Sequence, residues 1–236
     1  NATDLKTLRA MAGRDEYGEK TDGGLRTLDL TAATIVSGGD PYLNEAGEGL
    51  QIEADNTLPR KAFCGCSLRT LLLPDGIRSV GSGAFAYCSR LDSVRLVPAK
   101  DADFIMKDNI LYSPDGKTVI CSLPRVSGKL TVGGSVTKIG AYAFSSRNRI
   151  NKLTLGSQLE DIAEYAFAGC ASLGEIRVVG KTPVATSGSG VFDGVNKTSC
   201  RLYVRAGSAA KFKSSSQWGD FKNIVEYGTT VKARNS

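Results

Sequence analysis

The residues of this chain best suited to chemistry are six cysteines, and the chain contains no histidine. A cysteine or serine nucleophile ordinarily relies on a histidine base, so both usual catalytic triads are excluded. No other activating group stands at a recognisable spacing from a cysteine or serine. The sequence therefore predicts a protein that is not an enzyme.

Metal and phosphate sites receive little support from the spacing of their usual ligands. Cys64-Gly65-Cys66 is the only close cysteine pair, whereas a zinc site needs a second pair or histidines. Asp101-Ala102-Asp103 and Asp115-Gly116 lack the downstream bidentate Glu of a calcium loop, so we interpret them as turn residues. Gly188-Ser189-Gly190 and Gly133-Gly134 fit no phosphate-loop template. We predict no metal site and no cofactor.

The elements that must position any functional residue come from an internal repeat. The repeated stretches are LLLPDGIRSVGSGAF (71–85), LTVGGSVTKIGAYAF (130–144), LTLGSQLEDIAEYAF (153–167) and, with a two-residue insertion, IRVVGKTPVATSGSGVF (176–192). Their first apolar residues, together with Val94, follow one another at steps of 23, 36, 23 and 23 residues. A fixed period of this length is typical of a solenoid, in which each repeat buries its apolar face against its neighbours.

Each repeat begins with an alternation of period two, which predicts a strand with one buried face. Leu28 and Leu202 mark an earlier and a later copy, so seven strands should stack into a parallel sheet. A turn signal follows each strand, and then a second apolar stretch ends in Val80, Ile139 or Ile162. These residues should form a second wall of the solenoid.

A small-x-x-Ala-Phe element follows the second wall, and we interpret it as a single helical turn. Because Ala163 replaces the glycines found at 81 and 140, this position should require small volume rather than a positive φ. The aromatic residues should form a buried spine of Phe63, Phe85, Phe144, Phe167 and Phe192.

Cysteines recur three residues after these aromatics, at Cys66, Cys88 and Cys170, and Arg147 occupies the same position after Phe144. Because one copy lacks the cysteine, pairing cannot be obligatory, and we predict buried free thiols. A disulfide among Cys64, Cys121 and Cys200 is the alternative.

The units VGSGAFAYCSRLDSVRL (80–96) and IAEYAFAGCASLGEIRV (162–178) resemble the BspA-like subfamily of leucine-rich repeats, over roughly Leu25 to Tyr227. The resemblance implies an α/β solenoid, a right-handed superhelix with a parallel β-sheet face, short helical turns and capped ends. It also implies a bacterial cell-surface or secreted protein with a role in adhesion and in host or matrix binding.

The long step of 36 residues contains the segment 101–124. Ile110-Leu111-Tyr112 and Thr118-Val119-Ile120 are rich in β-forming residues and are separated by the turn sequence Ser113–Lys117, which predicts an inserted β-hairpin. We expect the hairpin to continue the stack in place of one helical turn. A protrusion that contacts a ligand is the alternative.

We predict a single domain over 1–236, made of an N-terminal helical cap (1–24), repeats (25–206) and a C-terminal cap and tail (207–236). The first helix should begin at Thr3 or Asp4 and end at Gly13. Its inner face should consist of Leu5, Leu8, Met11 and Ala12.

At the other end, a short helix should precede aromatic and apolar residues that close the solenoid, namely Trp218, Phe221, Ile224 and Tyr227. The segment 36–55 breaks the period and is predicted to be irregular. The polar residues 228–236 are predicted to be mobile.

The best candidate for a binding surface is the set of residues that alternate with the buried ones, because they must point outward. These candidate ligand-binding residues are Thr70, Leu72, Ser93, Arg95, Lys129, Thr131, Lys152, Thr154, Glu175, Arg177, Tyr203 and Arg205. Their arginines and lysines suit an acidic glycan, a carboxylate-bearing peptide or an anionic polymer. A merely solvated sheet face is the alternative.

Together these observations predict a non-catalytic surface module that binds a host or matrix protein or glycan, and a structural scaffold or spacer is the alternative. The net charge is +6, but no segment of the sequence resembles a nucleic-acid-binding module. We therefore expect no nucleic-acid partner. No apolar run is long enough for a membrane span. The chain starts at Asn1 without a signal-like segment, which suggests a mature extracellular or surface protein, and we expect a monomer.

Overall fold

The structure, a computed structural model, describes residues 1–228 of the chain. Its helices are α1 (Ala2–Met11) and α2 (Ala209–Lys213). Its strands are β1 (Thr27–Asp29), β2 (Gly38–Glu45), β3 (Glu48–Ile52), β4 (Thr57–Leu58), β5 (Thr70–Ile77), β6 (Ser79–Val80), β7 (Ser93–Pro98), β8 (Ile105–Lys107), β9 (Ile110–Tyr112), β10 (Thr118–Ser122), β11 (Gly128–Val132), β12 (Lys138–Ile139), β13 (Ile150–Leu155), β14 (Asp161–Ala163), β15 (Glu175–Val178), β16 (Ala185–Ser187), β17 (Arg201–Arg205) and β18 (Asn223–Tyr227). None of the described helices is long and apolar enough to cross a membrane. The tail predicted to be mobile lies outside the described residues, except for Gly228.

The repeat strands stack in parallel, as predicted, but they form two sheets instead of one. One sheet contains β1, β5 and β7, and the other contains β11, β13, β15, β17 and β18. The register aligns the predicted apolar residues, in the order Leu28, Leu71 and Val94 in the first sheet and Leu130, Leu153, Ile176 and Leu202 in the second. The break between β7 and β11 falls at the one long step of the repeat.

The second apolar stretch of each repeat forms the predicted second wall. β4 pairs with β6, and a six-stranded sheet has the order β16-β14-β12-β10-β9-β8. Val80, Ile139 and Ile162 are buried in β6, β12 and β14. The fold is therefore a solenoid with two walls of mostly parallel strands.

The predicted hairpin is confirmed and is extended by a third strand. β9 pairs in antiparallel fashion with both β8 and β10. At the hairpin turn, the Asp115 carboxylate accepts hydrogen bonds from the Ser113 hydroxyl at 2.6 Å and from the Lys117 N–H at 3.0 Å. β10 then pairs in parallel with β12, with Val119 beside Ile139. The hairpin thus occupies a place in the second wall and continues the stack.

Side chains of the hairpin pack into both parts of the hydrophobic core. Ile110 and Val119 belong to the cluster formed with the later repeats. Leu111 and Cys121 belong to the cluster formed with the earlier repeats. The hairpin therefore connects the two clusters at the point where the first sheet ends.

The predicted helical turn of each repeat is a run of β-turns in the structure. The residue before each Ala-Phe pair has a left-handed backbone, with φ of 53° at Lys61, 60° at Tyr142 and 52° at Tyr165. A second left-handed residue precedes the cysteine position, as at Tyr87 with φ of 55°. Because left-handed residues cannot continue a right-handed helix, the chain turns without forming one.

These turns hydrogen-bond to one another in the same way as the strands. The N–H of Phe63 donates to the carbonyl of Ala84 at 2.9 Å, and the N–H of Phe144 donates to that of Ala166 at 2.8 Å. The turns therefore extend the backbone ladder beyond the two walls and satisfy polar groups that would otherwise be buried without partners.

The small position ahead of each turn is explained by close backbone contact. A Cβ atom at Gly81 would lie 2.3 Å from the backbone nitrogen of Arg60, and one at Gly140 would lie 2.8 Å from the carbonyl oxygen of Val119. Neither glycine has a positive φ. The prediction that this position requires small volume is confirmed.

The aromatic residues after these turns form the predicted buried spine. Phe63, Phe85, Phe144, Phe167 and Phe192 are each at most 1% exposed. The rings of Phe144 and Phe167 stack with centroids 5.2 Å apart, and those of Phe167 and Phe192 with centroids 5.7 Å apart. This stacking adds to the apolar burial and holds successive repeats in register.

All six cysteines are free thiols, and the predicted buried positions are confirmed. The thiols of Cys88 and Cys170 contact the carbonyl oxygens of Phe63 and Phe144, at 2.9 and 3.1 Å. Each cysteine thus donates to the turn of the preceding repeat. The alternative of a disulfide among Cys64, Cys121 and Cys200 is not present.

Arg147 replaces the cysteine in the one repeat that follows the hairpin. Its side chain is 4% exposed and donates to the Ser122 hydroxyl at 3.0 Å and the Ser122 carbonyl at 2.8 Å. The segment between β10 and β11 is shorter than the one between β12 and β13, and Arg147 contacts the end of β10 where the cysteines contact a turn of the preceding repeat.

At the N-terminus, the helix begins earlier than predicted. The cap is Asn1 instead of Thr3 or Asp4, because the Asn1 side chain accepts hydrogen bonds from the N–H groups of both residues, at 3.0 and 3.3 Å. Gly13 ends the helix as predicted, with φ of 94°. Met11 is 49% exposed, so its predicted place on the inner face is wrong.

At the C-terminus, two of the predicted closing residues are confirmed and two are not. Trp218 and Phe221 are buried, and the Trp218 indole packs on Phe192 with ring centroids 4.9 Å apart. Ile224 and Tyr227 belong instead to β18, an eighth strand of the repeat sheets. The strand forms because Ile224 continues the inward column after Leu202.

The segment 36–55, predicted to be irregular, contains the antiparallel hairpin β2–β3. Its tight turn has positive φ at Ala46 (51°) and Gly47 (87°), which matches the twist of paired strands. Tyr42 on this hairpin is buried and its hydroxyl donates to the Arg60 carbonyl at 2.5 Å. The hairpin and α1 pack against each other, and together they cover the first repeat.

We expect the substitution Gly81→Ala to lower the free energy of unfolding by about 1–3 kcal/mol, because the added methyl group would overlap the Arg60 backbone. Gly24→Ala is the matched control, since a Cβ atom there meets nothing within 4 Å. The control should change stability by less than about 0.5 kcal/mol. Urea unfolding followed by circular dichroism measures both, and equal stabilities would contradict the packing argument.

Burial also makes stability depend on alkaline pH. It raises the pKa of Cys66 and Cys121 to about 11 and that of Cys170 to about 12, from the ordinary thiol value of 9.0. The unfolded chain therefore loses these protons first, so we expect stability to be full below about pH 9 and to fall as pH rises towards the folded-state values. Urea unfolding at several alkaline pH values measures this decline. A Cys66→Ala/Cys170→Ala variant should show a shallower decline, and an unchanged slope would refute the assignment to thiols.

Candidate binding face of the sheet

The predicted binding residues all lie on the outer face of the repeat strands, but they fall on two separate sheets. Thr70, Leu72, Ser93 and Arg95 belong to the three-stranded sheet. The residues on the five-stranded sheet are Lys129, Thr131, Lys152, Thr154, Glu175, Arg177, Tyr203 and Arg205. The single continuous surface expected from the repeat is therefore interrupted between β7 and β11.

The first of these sheets presents little that a ligand could contact. Thr70, Leu72 and Ser93 are only partly exposed. Arg95 pairs with Asp75 at 2.6 Å and donates to the Leu73 carbonyl at 3.1 Å. Its charge is therefore already compensated within the protein.

The five-stranded sheet arranges its outward residues in columns that cross the strands. One column runs through Thr131, Thr154, Arg177, Tyr203 and Val225, each paired in register with the next. The neighbouring column contains Lys129, Lys152, Glu175, Arg201 and Asn223. The predicted outward residues of this sheet therefore lie beside one another from strand to strand.

The strongest feature of this face is an arginine whose guanidinium lies over two tyrosine rings. The guanidinium carbon of Arg177 lies 5.3 Å from the ring centroid of Tyr203 and 4.4 Å from that of Tyr227. Arg205 lies 5.3 Å from the Tyr227 ring on the next strand. The Tyr227 hydroxyl donates to the Val178 carbonyl at 2.9 Å, which fixes the ring in place. The arginines are positioned by stacking and leave donors available.

The charge of this region is uncompensated within the described residues. Lys152 pairs with Glu175 at 3.3 Å, but Lys129, Arg177, Arg201 and Arg205 form no ion pair with any carboxylate of residues 1–228. Arg205 donates instead to the backbone carbonyl of Val179 at 3.1 Å. The end of the sheet nearest the C-terminus is therefore a basic surface with aromatic support. We call the residues Arg177, Arg201, Tyr203, Arg205, Val225 and Tyr227 the basic aromatic face.

Sequence reasoning missed Val225 and Tyr227 as members of this face. Val225 is 40% exposed and continues the outward column after Tyr203. The available signal was the step of 22 residues from Leu202 to Ile224, close to the repeat length, followed by the same alternation. The aromatic residues of the segment favoured the prediction of a cap that closes the solenoid instead of a further strand.

Other chemistry-bearing groups do not form a competing site. Among residues 1–228, no three cysteine or acidic side chains come close enough to hold a metal ion. Burial raises the pKa of the Cys64 thiol, which is only partly exposed, so it is not an activated nucleophile.

We expect the Arg177 and Tyr227 side chains to be coupled energetically. In a double-mutant cycle with Arg177→Ala and Tyr227→Ala, the interaction should contribute about 0.5–1 kcal/mol to the free energy of unfolding. Urea unfolding of the four proteins measures the coupling. The pair Arg177 and Asn223 serves as the reference cycle, because the Asn223 side chain donates to the Thr198 carbonyl and does not contact Arg177. Equal coupling in both cycles would contradict the stacking.

The comparisons with known proteins agree with the repeat architecture. A family model described as "BspA type Leucine rich repeat region" matches six copies, over residues 56–102 and 127–208. The stretch between the two matched ranges contains β8, β9 and β10. A search of curated proteins finds no match.

Solved structures with a similar fold include several bacterial repeat proteins. A leucine rich cell surface protein from Faecalibacterium prausnitzii is 19% identical, with a TM-score of 0.42 over 74% of this chain and 52% of that one. A leucine-rich repeat protein from Eubacterium ventriosum is 18% identical, with a TM-score of 0.47 over 58% of this chain and 37% of that one. The pneumococcal vaccine antigen PcpA is 16% identical, with a TM-score of 0.42 over 80% of this chain and 63% of that one.

The chain thus spans between 37% and 63% of the length of these three structures. The family model covers more than half of the residues, and its matched ranges contain the paired repeat strands from β5 to β17. The phased copies and their in-register strands lead to one conclusion: this chain belongs to the BspA-type leucine-rich repeat family.

Proposed function

We propose that this chain is a non-catalytic binding module that captures an acidic protein surface with its basic aromatic face. The observation that carries the proposal is Arg177, which lies over the rings of Tyr203 and Tyr227 and has no carboxylate partner among residues 1–228. A pre-positioned guanidinium binds carboxylates bidentately with little loss of side-chain entropy. Tyrosine and arginine are also the residue types that dominate binding energy at protein interfaces.

The exposed apolar group on this face supports a protein as the ligand. The face lies on three neighbouring parallel strands and presents the exposed apolar side chain of Val225 beside the charged groups. A face with one apolar element among cations suits an acidic protein surface with its own apolar contact.

We propose an extracellular or cell-surface location, as membership of the BspA-type repeat family implies. We further propose that the chain acts as one domain and as a monomer. The support for one domain is the packing of the inserted hairpin into both core clusters through Leu111 and Val119.

The test compares two pairs of charge reversals in binding to a panel of matrix proteins, acidic proteins and anionic polysaccharides. Arg177→Glu/Arg205→Glu should weaken binding more than about tenfold, because it removes the stacked donors and repels the acidic partner. Arg90→Glu/Lys107→Glu is the control, since it makes the same charge change at exposed residues on other parts of the solenoid, the loop before β7 and strand β8. Surface plasmon resonance at low and at physiological ionic strength measures the affinities.

Each outcome of this comparison has a definite meaning. Loss of protein binding in the first variant alone supports the proposal, and a preference for polysaccharides over proteins contradicts the ligand class. Equal loss in both variants means that only net charge matters, which also contradicts the proposal. The absence of any ligand in the panel favours the alternative of a structural scaffold.

A further inference from the structure

A cavity of about 320 Å³ lies near the N-terminal cap, away from the basic aromatic face. It is lined by α1, the loop that follows this helix, the end of β2 and the first turns of the repeat stack, and it opens to solvent beside the exposed Tyr17. Its lining includes Arg9, Arg14, Tyr17, Lys61 and Tyr87. Three cations and two aromatic rings therefore line one pocket.

Arg9 is the most unusual of these residues because its charge is buried. The residue is 1% exposed, and one terminal nitrogen donates to the carbonyls of Lys61 and Ala62 at 2.9 and 2.8 Å. Its Nε has no hydrogen-bond acceptor, and among residues 1–228 it is the only buried side-chain nitrogen or oxygen without a partner. An unsatisfied buried donor on a charged group is costly unless a ligand supplies an acceptor or a compensating charge.

Arg14 adds a second positive charge to the same cavity. Its Nε donates to the Gly65 carbonyl at 3.1 Å and a terminal nitrogen donates to the Gly18 carbonyl at 3.2 Å. Neither Arg9 nor Arg14 forms an ion pair with a carboxylate of the described residues. Carbonyl groups thus hold both guanidiniums in place without neutralising them.

The acidic residue in the lining does not cancel these charges. The Glu45 carboxylate accepts hydrogen bonds from Arg60, at 2.5 Å, and from Lys61. Its charge is therefore compensated by two other cations. The lining as a whole remains positive, and that positive charge belongs to Arg9 and Arg14.

A second buried arginine, Arg147, also donates to a backbone carbonyl, but no cavity of this size lies beside it. Arg147 also lacks a carboxylate partner, but its Nε donates to the Ser122 hydroxyl at 3.0 Å. The cavity beside Arg147 has a volume of only about 70 Å³. Within residues 1–228, the unpartnered Nε, the second guanidinium and the larger space occur together only around Arg9.

We propose that this cavity binds the oxyanion group of a small ligand, a carboxylate, sulfate or phosphate, between Arg9 and Arg14. The anion compensates two guanidiniums that the protein leaves without a counter-charge. Tyr17 is 67% exposed and Tyr87 is 39% exposed, and their rings receive the apolar part of the ligand. The site is independent of the basic aromatic face, so either can fail without the other.

The test observes the arginine Nε–H groups directly by ¹⁵N NMR while sodium sulfate, sodium phosphate or sodium glucuronate is added to the full chain. Sodium chloride at equal ionic strength and neutral glucose are the references. We expect saturable shifts of the Arg9 and Arg14 signals with at least one oxyanion and with neither reference. Comparison of glucuronate with sulfate and phosphate identifies which oxyanion class the cavity accepts. Linear shifts that match those in sodium chloride would overturn the proposal.

Variants separate binding in the cavity from a general ionic effect. Arg14→Gln should weaken oxyanion binding by about tenfold or more, because a charge-assisted donor is lost while a polar side chain is retained. Arg26→Gln is the matched control, since this partly buried arginine also donates to a backbone carbonyl but lies outside the cavity. Tyr17→Ala, at an exposed position that leaves the core intact, should weaken glucuronate more than sulfate. Unchanged affinity in Arg14→Gln would refute the site.

Discussion

Each repeat of this protein satisfies its backbone hydrogen bonds through its neighbours, and the rest of the structure depends on that constraint. The ladder includes both walls and the turns between them, where the N–H of Phe144 donates to the Ala166 carbonyl. Repeats can stack so closely only if no side chain intervenes, which explains the glycine at 81 against the Arg60 backbone. The stacked phenylalanines fill the space that remains inside. The recurring 23-residue spacing, the small residues and the aromatic spine are therefore consequences of one geometric requirement.

Wherever the ladder is interrupted, a longer side chain takes over the missing contact. Arg9 donates to the carbonyls of the first turn, which has no earlier repeat to pair with. Arg147 reaches Ser122 where the hairpin shortens a turn. At the far end, the Trp218 indole donates to the Val184 carbonyl at 2.8 Å and closes the core. Buried arginines thus mark the irregular points of the stack, and only the one at the N-terminal cap is left with an unpartnered donor beside a cavity.

Much of the architecture could be predicted because the repeat expresses it many times. The apolar columns, the second wall, the spine and the outward positions all follow from period and alternation. The charge state of those outward positions could not be predicted. Arg95 and Arg177 occupy equivalent places in the repeat, yet Asp75 neutralises the first while two tyrosines support the second. That difference arises from Asp75 in a turn and from Tyr227 on the eighth strand. Neither side chain is repeated from copy to copy.

The sequence by itself determined which residues point inward, which point outward and how far apart they stand, because these properties depend only on local periodicity and on contact with the next copy. Tertiary structure alone decided that the sheet divides at the hairpin, that Tyr227 joins Arg177 on the outer face, and that Arg9 and Arg14 share a cavity. Each of these depends on contacts between segments far apart in the chain, such as Arg9 with Lys61. The residues that make those contacts lie outside the repeats or differ from copy to copy, so the period does not report the contacts.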